Sequence, residues 1–153
     1  MAARRRVLIV GGVAGGATCA ARLRRLSEDC EIVLFDRGPY VSFANCGLPY
    51  FGGDVIQDEA KRLLATPELF RQRFGVEVRV ESEVVSIDRE RREIEVRDLR
   101  AERTTHEGYD VLVLSTGADP IWPPLPGIGL PGIFVLRTIH DSRRIREWLQ
   151  GRE

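Results

Sequence analysis

The stretch that decides the fold of this 153-residue chain reads Val7-Leu8-Ile9-Val10-Gly11-Gly12-Val13-Ala14-Gly15-Gly16. Its four apolar residues lie between arginines and glycines, which is typical of a short strand buried on both faces of a parallel sheet. The glycines turn the chain, and residues 17–26 then form an amphipathic helix with leucines on one face. A second apolar run, residues 32–35, ends at Asp36. Residues 7–36 therefore predict a strand-helix-strand unit.

The glycine-rich turn is typical of a dinucleotide site, because missing side chains let backbone amides and a helix N-terminus approach a pyrophosphate. The strict G-x-G-x-x-G pattern is not met, and the same glycines could simply pack the helix on the strand. Asp36 favours binding, since a carboxylate at the end of the second strand accepts hydrogen bonds from the adenosine ribose. The turn and this acid predict that FAD or NAD binds at Gly11, Gly12, Val13, Ala14, Gly15, Gly16, Asp36 and Arg37.

The rest of the chain divides into three segments. Residues 37–75 hold an irregular cysteine-bearing loop and short helices, one of them starting after Thr66. Residues 76–117 predict a strand, a small antiparallel meander and a closing apolar strand. Residues 118–153 predict a proline-rich connector, a short strand at 133–136 and a capped helix to about Gln150. The fold class is α/β, with a Rossmann-like parallel sheet and a meander.

One cysteine stands apart from the other two. Cys46 lies in Ser42-Phe43-Ala44-Asn45-Cys46-Gly47-Leu48-Pro49-Tyr50, a polar loop ten residues beyond Asp36, whereas Cys19 and Cys30 read as small buried hydrophobes. A redox thiol needs a positive potential such as a helix N-terminus, and Pro49 is compatible with a helix that starts at the cysteine. Cys46 has no resolving cysteine five residues away. It would form a mixed disulfide with a small thiol or persulfide, or a sulfenic acid.

These two motifs resemble the N-terminal part of the single-cysteine pyridine nucleotide-disulfide oxidoreductases, and the likeness covers essentially the whole chain. Within them it is most similar to coenzyme A-disulfide reductases and NADH-dependent polysulfide or persulfide reductases. The resemblance implies an enzyme that uses FAD with NADH or NADPH, acts on a small-molecule disulfide, polysulfide or persulfide with coenzyme A as substrate or bound thiol, and is a homodimer at full length. NADH would reduce FAD, and the flavin would pass electrons to a mixed disulfide at Cys46.

The resemblance also implies roles for individual residues. Cys46 would be the redox nucleophile, with Asn45 and Ser42 beside it. Ser115, Thr116 and Gly117 would close around FAD. Val84 or Val85 would lie by the adenine. Coenzyme A phosphates would be bound by Arg25, with Arg22 and Arg73 as further candidates. Relatives continue into NADH-binding and dimerisation domains, so we expect a partial, inactive chain that retains FAD weakly or not at all.

Two other functions are also compatible with these residues. One is an NADH oxidase or peroxidase that uses a Cys46 sulfenic acid, although the loop of those enzymes usually reads Ser-Cys rather than Asn-Cys. The other is a non-catalytic nucleotide-binding module in which Cys46 is unreactive.

The composition excludes several other classes. Acidic and basic residues balance at 23 each, which gives no field that would favour nucleic acid. No apolar run is long enough for a signal peptide or membrane span. Three unevenly spaced cysteines do not form a disulfide framework, so we expect a cytoplasmic protein. The two histidines are isolated, and no cysteine or histidine pair has zinc-ligand spacing, so we expect no metal site.

Overall fold

The computed structural model describes residues 4–53, 55–56 and 64–151. The chain forms two compact units. The first unit contains the chain up to Phe43 together with Ala65–Gly117, and the second contains Ala44–Leu64 together with the chain from Ala118.

A parallel sheet forms the centre of the first unit, with strands in the order β3-β2-β1-β7. These strands are β1 (Arg6–Val10), β2 (Glu31–Phe35), β3 (Glu77–Arg79) and β7 (Val111–Leu114). Helix α1 (Gly15–Leu26) connects β1 to β2, and α3 (Pro67–Phe74) precedes β3. The strand-helix-strand unit predicted at residues 7–36 is confirmed.

The side chains of the central strands alternate between two cores. Val7 and Ile9 of β1 face a cluster that includes Ala17 and Ala20 of α1 and Phe70 of α3. Leu8, the residue between them, packs in a separate cluster with the meander. Both faces of the sheet are therefore covered, which explains why these strands are continuously apolar rather than alternating.

The antiparallel meander consists of β4 (Ser82–Asp88), β5 (Glu93–Asp98) and β6 (Arg103–Gly108), in that order across the sheet. Ile94 and Val96 of β5 pack against Leu8, Val33 and Phe35 of the parallel sheet. The first unit thus has helices on one face of the parallel sheet and the meander on the other. The predicted α/β class with a parallel sheet and a meander is confirmed.

The second unit contains a 3-10 turn at Asn45–Gly47, helix α2 (Leu48–Gly52) and helix α4 (Ile139–Leu149). The capping box predicted for α4 is confirmed, because the Thr138 hydroxyl accepts from the Asp141 amide and the Asp141 carboxylate accepts from the Thr138 amide. None of the helices in the described ranges combines the length and apolar character of a membrane-crossing segment.

The strand predicted at residues 133–136 is wrong, since these residues are irregular. The Phe134 ring instead packs edge-on against Trp148 of α4, with 5.8 Å between ring centroids. An apolar run becomes a strand only where a neighbouring strand can share its backbone hydrogen bonds. Here a helix contacts the run, at Phe134, and Ile133 and Leu136 at its ends stay exposed.

Candidate functional site

The glycine turn after β1 is shaped by close backbone contacts. Gly11 has a φ of +96°, and a Cβ built on it would lie 2.1 Å from the Ser115 carbonyl oxygen. A Cβ on Gly16 would lie 1.8 Å from the Gly11 carbonyl oxygen. Side chains at either position would collide with backbone atoms that cannot move independently. The turn therefore requires glycine at both positions, irrespective of any ligand.

The N-terminus of α1 opens from this turn. Ala14 occupies the N-cap position, no side chain among the described residues caps it, and the first turn contains no acidic residue. Amides in the first turn of a helix have no intrahelical acceptor, and the helix dipole favours an anion beside them. Gly15 is exposed, and a Cβ there would lie 2.4 Å from the Ser115 hydroxyl oxygen. This end of α1 has the features that suit a pyrophosphate.

The Asp36 carboxylate binds two backbone amides at the predicted dinucleotide site. Its Oδ2 accepts from the Gly12 amide at 2.7 Å, and its Oδ1 accepts from the Gly38 amide at 2.8 Å. Each carboxylate oxygen has two acceptor positions, so each could also accept a hydroxyl donor. The side chain thus holds the glycine turn while it keeps the capacity to bind a ribose. The sequence predicted the ribose contact, but it did not predict that Asp36 holds the glycine turn. Arg37 follows directly and is exposed.

The residues after β7 border the same turn. The Ser115 amide donates to the Val10 carbonyl at 2.7 Å, and Gly117 has a φ of +71°. The Thr116 backbone nitrogen would lie 3.2 Å from a Cβ on Gly11. The structure therefore brings Ser115 and Thr116 against the glycine turn.

Val84 and Val85 have different environments. Val84 pairs with Val96 and packs against the cluster below the meander. The register of β4 and β5 shifts between Val84 and Ser86, so Val85 is a bulged residue and its side chain is 38% exposed. Of the two candidates for adenine contact, Val85 has the side chain that is open to a ligand.

Ser42 has a strained backbone in the first unit. Its φ is +51°, a left-handed conformation that is uncommon for residues other than glycine, and its amide donates to the Gly12 carbonyl at 2.9 Å. Strain of this kind costs about 1–3 kcal/mol and clusters at functional sites. The sequence marked Ser42 by resemblance, but its backbone conformation has no signal in the sequence.

Cys46 lies in the 3-10 turn Asn45–Gly47 of the second unit, and α2 begins after this turn, at Leu48. Cys46 and Asn45 are exposed, whereas Cys30 is buried and Cys19 is half-buried. Helix α2 has five residues, so its dipole is smaller than that of the helix N-terminus expected for a redox thiol. Among the cysteines, Cys46 presents the accessible sulfur.

Two of the three predicted phosphate-binding arginines line a shared pocket on the first unit. This open pocket of about 650 Å³ is lined by Arg4, Arg24, Arg25, Glu28, Arg73, Phe74 and Gly75. The Arg25 side chain makes no hydrogen bond or ion pair within the described part of the chain, and the Arg73 guanidinium lies 5.7 Å from the Phe74 ring centroid. Arg22, on the same helix as Arg25, does not line the pocket.

The other two arginines of the pocket are bound to backbone carbonyls. Arg24 donates to the carbonyls of Phe74, Ser27, Glu28 and Gly75, and Arg4 donates to those of Asp29 and Cys30. Sequence reasoning missed both residues. The available signal was the position of Arg24 in the last turn of α1, where arginine often binds terminal carbonyls.

Comparison with known proteins finds a family match over residues 5–152, to the pyridine nucleotide-disulphide oxidoreductases. The chain is 35% identical over 150 residues to the coenzyme A disulfide reductase of Staphylococcus aureus strain bovine RF122 / ET3-1. That alignment covers 97% of this chain and 33% of the relative. The chain thus spans about a third of the length of this curated relative.

Two solved structures have the same fold. Reduced Bacillus anthracis CoADR-RHD matches with a TM-score of 0.92 and 49% identity, over 96% of this chain and 27% of that one. The NAD-dependent persulfide reductase from A. fulgidus matches with a TM-score of 0.88 and 31% identity, over 95% of this chain and 27% of that one.

Proposed function

Since the chain belongs to the pyridine nucleotide-disulphide oxidoreductase family, we propose that it carries the FAD-binding and thiol-bearing part of a coenzyme A-disulfide or persulfide reductase. The observation that carries the proposal is the pairing of an uncapped α1 N-terminus with a carboxylate, Asp36, that is hydrogen-bonded to the glycine turn. This arrangement suits a pyrophosphate and its ribose.

Several residues of this chain would hold FAD. The first-turn amides of α1 would donate to the pyrophosphate, Asp36 would accept from the ribose, and Val85 would contact the adenine. Thr116 and Gly117 would border the cofactor where they follow β7. When bound, FAD supplies the electron pair from NADH or NADPH that returns a mixed disulfide to thiols.

Cys46 would perform the thiol chemistry, because it is exposed and no second cysteine lies in its loop. Its thiolate attacks one sulfur of a coenzyme A disulfide or a persulfide. A bond forms between Cys46 and that sulfur, the substrate S–S bond breaks, and the departing thiolate takes a proton from solvent. Asn45 and Ser42 would orient the thiol and its substrate.

Arg25 and Arg73 would bind the phosphates of coenzyme A, whereas Arg4 and Arg24 hold the pocket together through backbone carbonyls. Arginine suits phosphate because its planar guanidinium donates two parallel hydrogen bonds. Glu28 lines the same pocket, and its carboxylate would weaken the binding of a phosphate by charge repulsion.

Incubation with coenzyme A disulfide, followed by intact-protein mass spectrometry without reductant, tests the role of Cys46. We expect one coenzyme A adduct, which the C46S variant abolishes and C19S retains. Addition of oxygen atoms in place of the adduct would favour an NADH oxidase or peroxidase. Equal, slow labelling of all three cysteines would favour a non-catalytic nucleotide-binding module.

The arginine pocket is tested by comparing coenzyme A disulfide with pantethine, which has the same disulfide-linked pantetheine arms but no phosphate. We expect R25A and R73A each to slow adduct formation with coenzyme A disulfide about tenfold, which corresponds to one lost charge-assisted hydrogen bond. Pantethine should react unchanged. R22A is the matched control, because Arg22 lies on α1 outside the pocket. An equal effect of R22A and R25A would contradict the assignment.

A further inference from the structure

A buried hydroxyl on α4 contacts the helix that follows Cys46. We propose that Ser142 is a positioning residue for Cys46, which it orients through the backbone of α2. The inference rests on the proposed role of Cys46 as the redox thiol. Ser142 and Cys46 are 96 positions apart in the sequence, and both belong to the second unit.

The Ser142 side chain is fully buried, with 0% of its surface exposed. Its Oγ donates to the Leu48 carbonyl oxygen at 2.9 Å. A buried hydroxyl without a partner is unfavourable, so this hydrogen bond fixes both groups. Alanine is a better helix former than serine, so helix propensity alone does not explain a serine at this buried position.

Leu48 is directly continuous with the turn that carries Cys46. The Gly47 amide donates to the Ala44 carbonyl at 3.0 Å, and the Leu48 amide donates to the Asn45 carbonyl. In each of these hydrogen bonds the acceptor precedes Cys46 in the chain and the donor follows it. A displacement of Leu48 must therefore displace the Cys46 backbone, because the turn and α2 share these hydrogen bonds.

Further contacts hold α2 against α4 at its other end. The Arg146 guanidinium lies 4.6 Å from the ring centroid of Phe51, which is buried. A Cβ on Gly52 would lie 3.7 Å from the Ile145 side chain, so the helices are close at this point. Since these contacts hold the C-terminal end of α2, the Ser142 hydroxyl that binds the Leu48 carbonyl holds the other end, where the helix joins the turn of Cys46.

The reactivity of a thiol depends on its orientation and on the groups around it, whereas a purely structural contact changes stability alone. This difference separates the two roles of Ser142. The variants S142A, S142T and T138A are compared with the unmodified chain. T138A is the matched control, because it removes the N-cap of the same helix, weakens α4 and leaves the Ser142 to Leu48 bond intact.

The measurement is the alkylation rate of each cysteine by iodoacetamide between pH 5 and pH 9 (about the range in which thiols titrate), read by peptide mass spectrometry. We expect S142A to change the Cys46 rate by up to about fivefold, the change that the free energy of one ordinary hydrogen bond would give if it acted fully on the turn, and to shift its pH profile. S142T should restore the profile, because it keeps the hydroxyl. The alkylation rate of Cys19 should be unaffected. Cys30 is buried, so its rate would rise only if the chain opened as a whole.

Two outcomes would overturn the inference: a Cys46 profile in S142A that equals that of the unmodified chain, or an equal change in T138A. The proposed function fails separately, if Cys46 of the unmodified chain forms no adduct with coenzyme A disulfide. The first comparison is between variants and the second concerns the unmodified chain, so the two failures are distinguishable.

Discussion

At the scale of single residues, the glycine turn combines two explanations that the sequence left as alternatives. Gly11 and Gly16 are required by contacts within the chain itself. The same missing side chains leave the start of α1 open, which is the feature that suits a phosphate. Packing and ligand binding therefore favour the same residues here.

Gly16→Ala should destabilise the first unit by about 3 kcal/mol, because its Cβ would meet the Gly11 carbonyl and force the backbone apart. Chemical denaturation measures the change. Gly129→Ala is the control, since a Cβ there has no atom within 4 Å, and it should change stability by less than about 0.5 kcal/mol. Equal effects of the two substitutions would contradict this explanation of the turn.

Asp36→Asn should lower the free energy of unfolding by about 2 kcal/mol even without a nucleotide. The carboxylate accepts from two backbone amides, and an asparagine side chain would point its own NH2 group at one of them. Thermal unfolding of the ligand-free chain measures this loss. Asp29→Asn, at an exposed position, serves as the control. An Asp36→Asn chain that is as stable as the Asp29→Asn chain would show that Asp36 serves ligands alone.

At the scale of secondary structure, α1 and α4 begin in opposite ways. Helix α4 has a complete capping box, whereas α1 starts at Ala14 without a side-chain cap. Burial disfavours the charge of Asp141, but hydrogen bonds from Thr138 and Arg137 outweigh burial and lower the pKa of this carboxyl. The Thr138 and Asp141 amides at the start of α4 thus have side-chain acceptors, whereas no side chain in the described part of the chain caps α1, whose first-turn amides can bind an external acceptor.

Thr138→Ala should destabilise α4 by about 1 kcal/mol, because the hydroxyl that accepts from the Asp141 amide is lost. Hydrogen exchange of the α4 amides measures this effect locally. Glu147→Ala, an exposed position in the same helix, should leave the exchange of the first turn unchanged. Faster exchange throughout the first unit with no change in α4 would contradict the prediction.

At the scale of the whole molecule, an ion-pair network joins the two sheets of the first unit. Glu107 of β6 accepts from Arg6 of β1 at 2.7 Å and from Arg79 of β3. Burial disfavours the Glu107 charge, since its side chain is 15% exposed, but the hydrogen bonds from Arg79 and Arg6 outweigh burial and lower its pKa. This carboxylate connects the meander to the parallel sheet.

Glu107→Gln should lower the free energy of unfolding by about 2 kcal/mol at neutral pH. The folded-state pKa of Glu107 is lowered, so its contribution is complete above the unfolded-state pKa of about 4.3 and is lost as the pH falls through the folded-state value. The difference between the unmodified chain and this variant should therefore shrink below about pH 4. Denaturation at several pH values measures it.

Glu90→Gln, in an exposed turn, is the control for this charge removal and should have little effect at any pH. A difference for Glu107→Gln that stays constant down to acidic pH would show that the network does not depend on the carboxylate charge.

The sequence was sufficient for most elements, and the reasons are local. Buried strands, glycine turns and helix caps have signals within a few residues, so the strand-helix-strand unit and the cap of α4 were predictable. The run at 133–136 was not, because its strand character depends on a neighbouring strand. The same holds for the candidate site. The motifs indicated Asp36 and Cys46 as site residues, but they did not indicate which atoms hold these residues in place.

By itself, the sequence determined the α/β class, the family, the cysteine without a partner in its loop and the glycine turn, since these depend on residue types at short spacing. Tertiary structure alone decided that Asp36 holds the turn, that Arg25 and Arg73 share a pocket which Arg22 does not line, and that Ser142 binds the carbonyl of Leu48. Ser142 and Leu48 lie 94 positions apart, and such contacts are set by the packing of whole elements, for which a single sequence has no local signal.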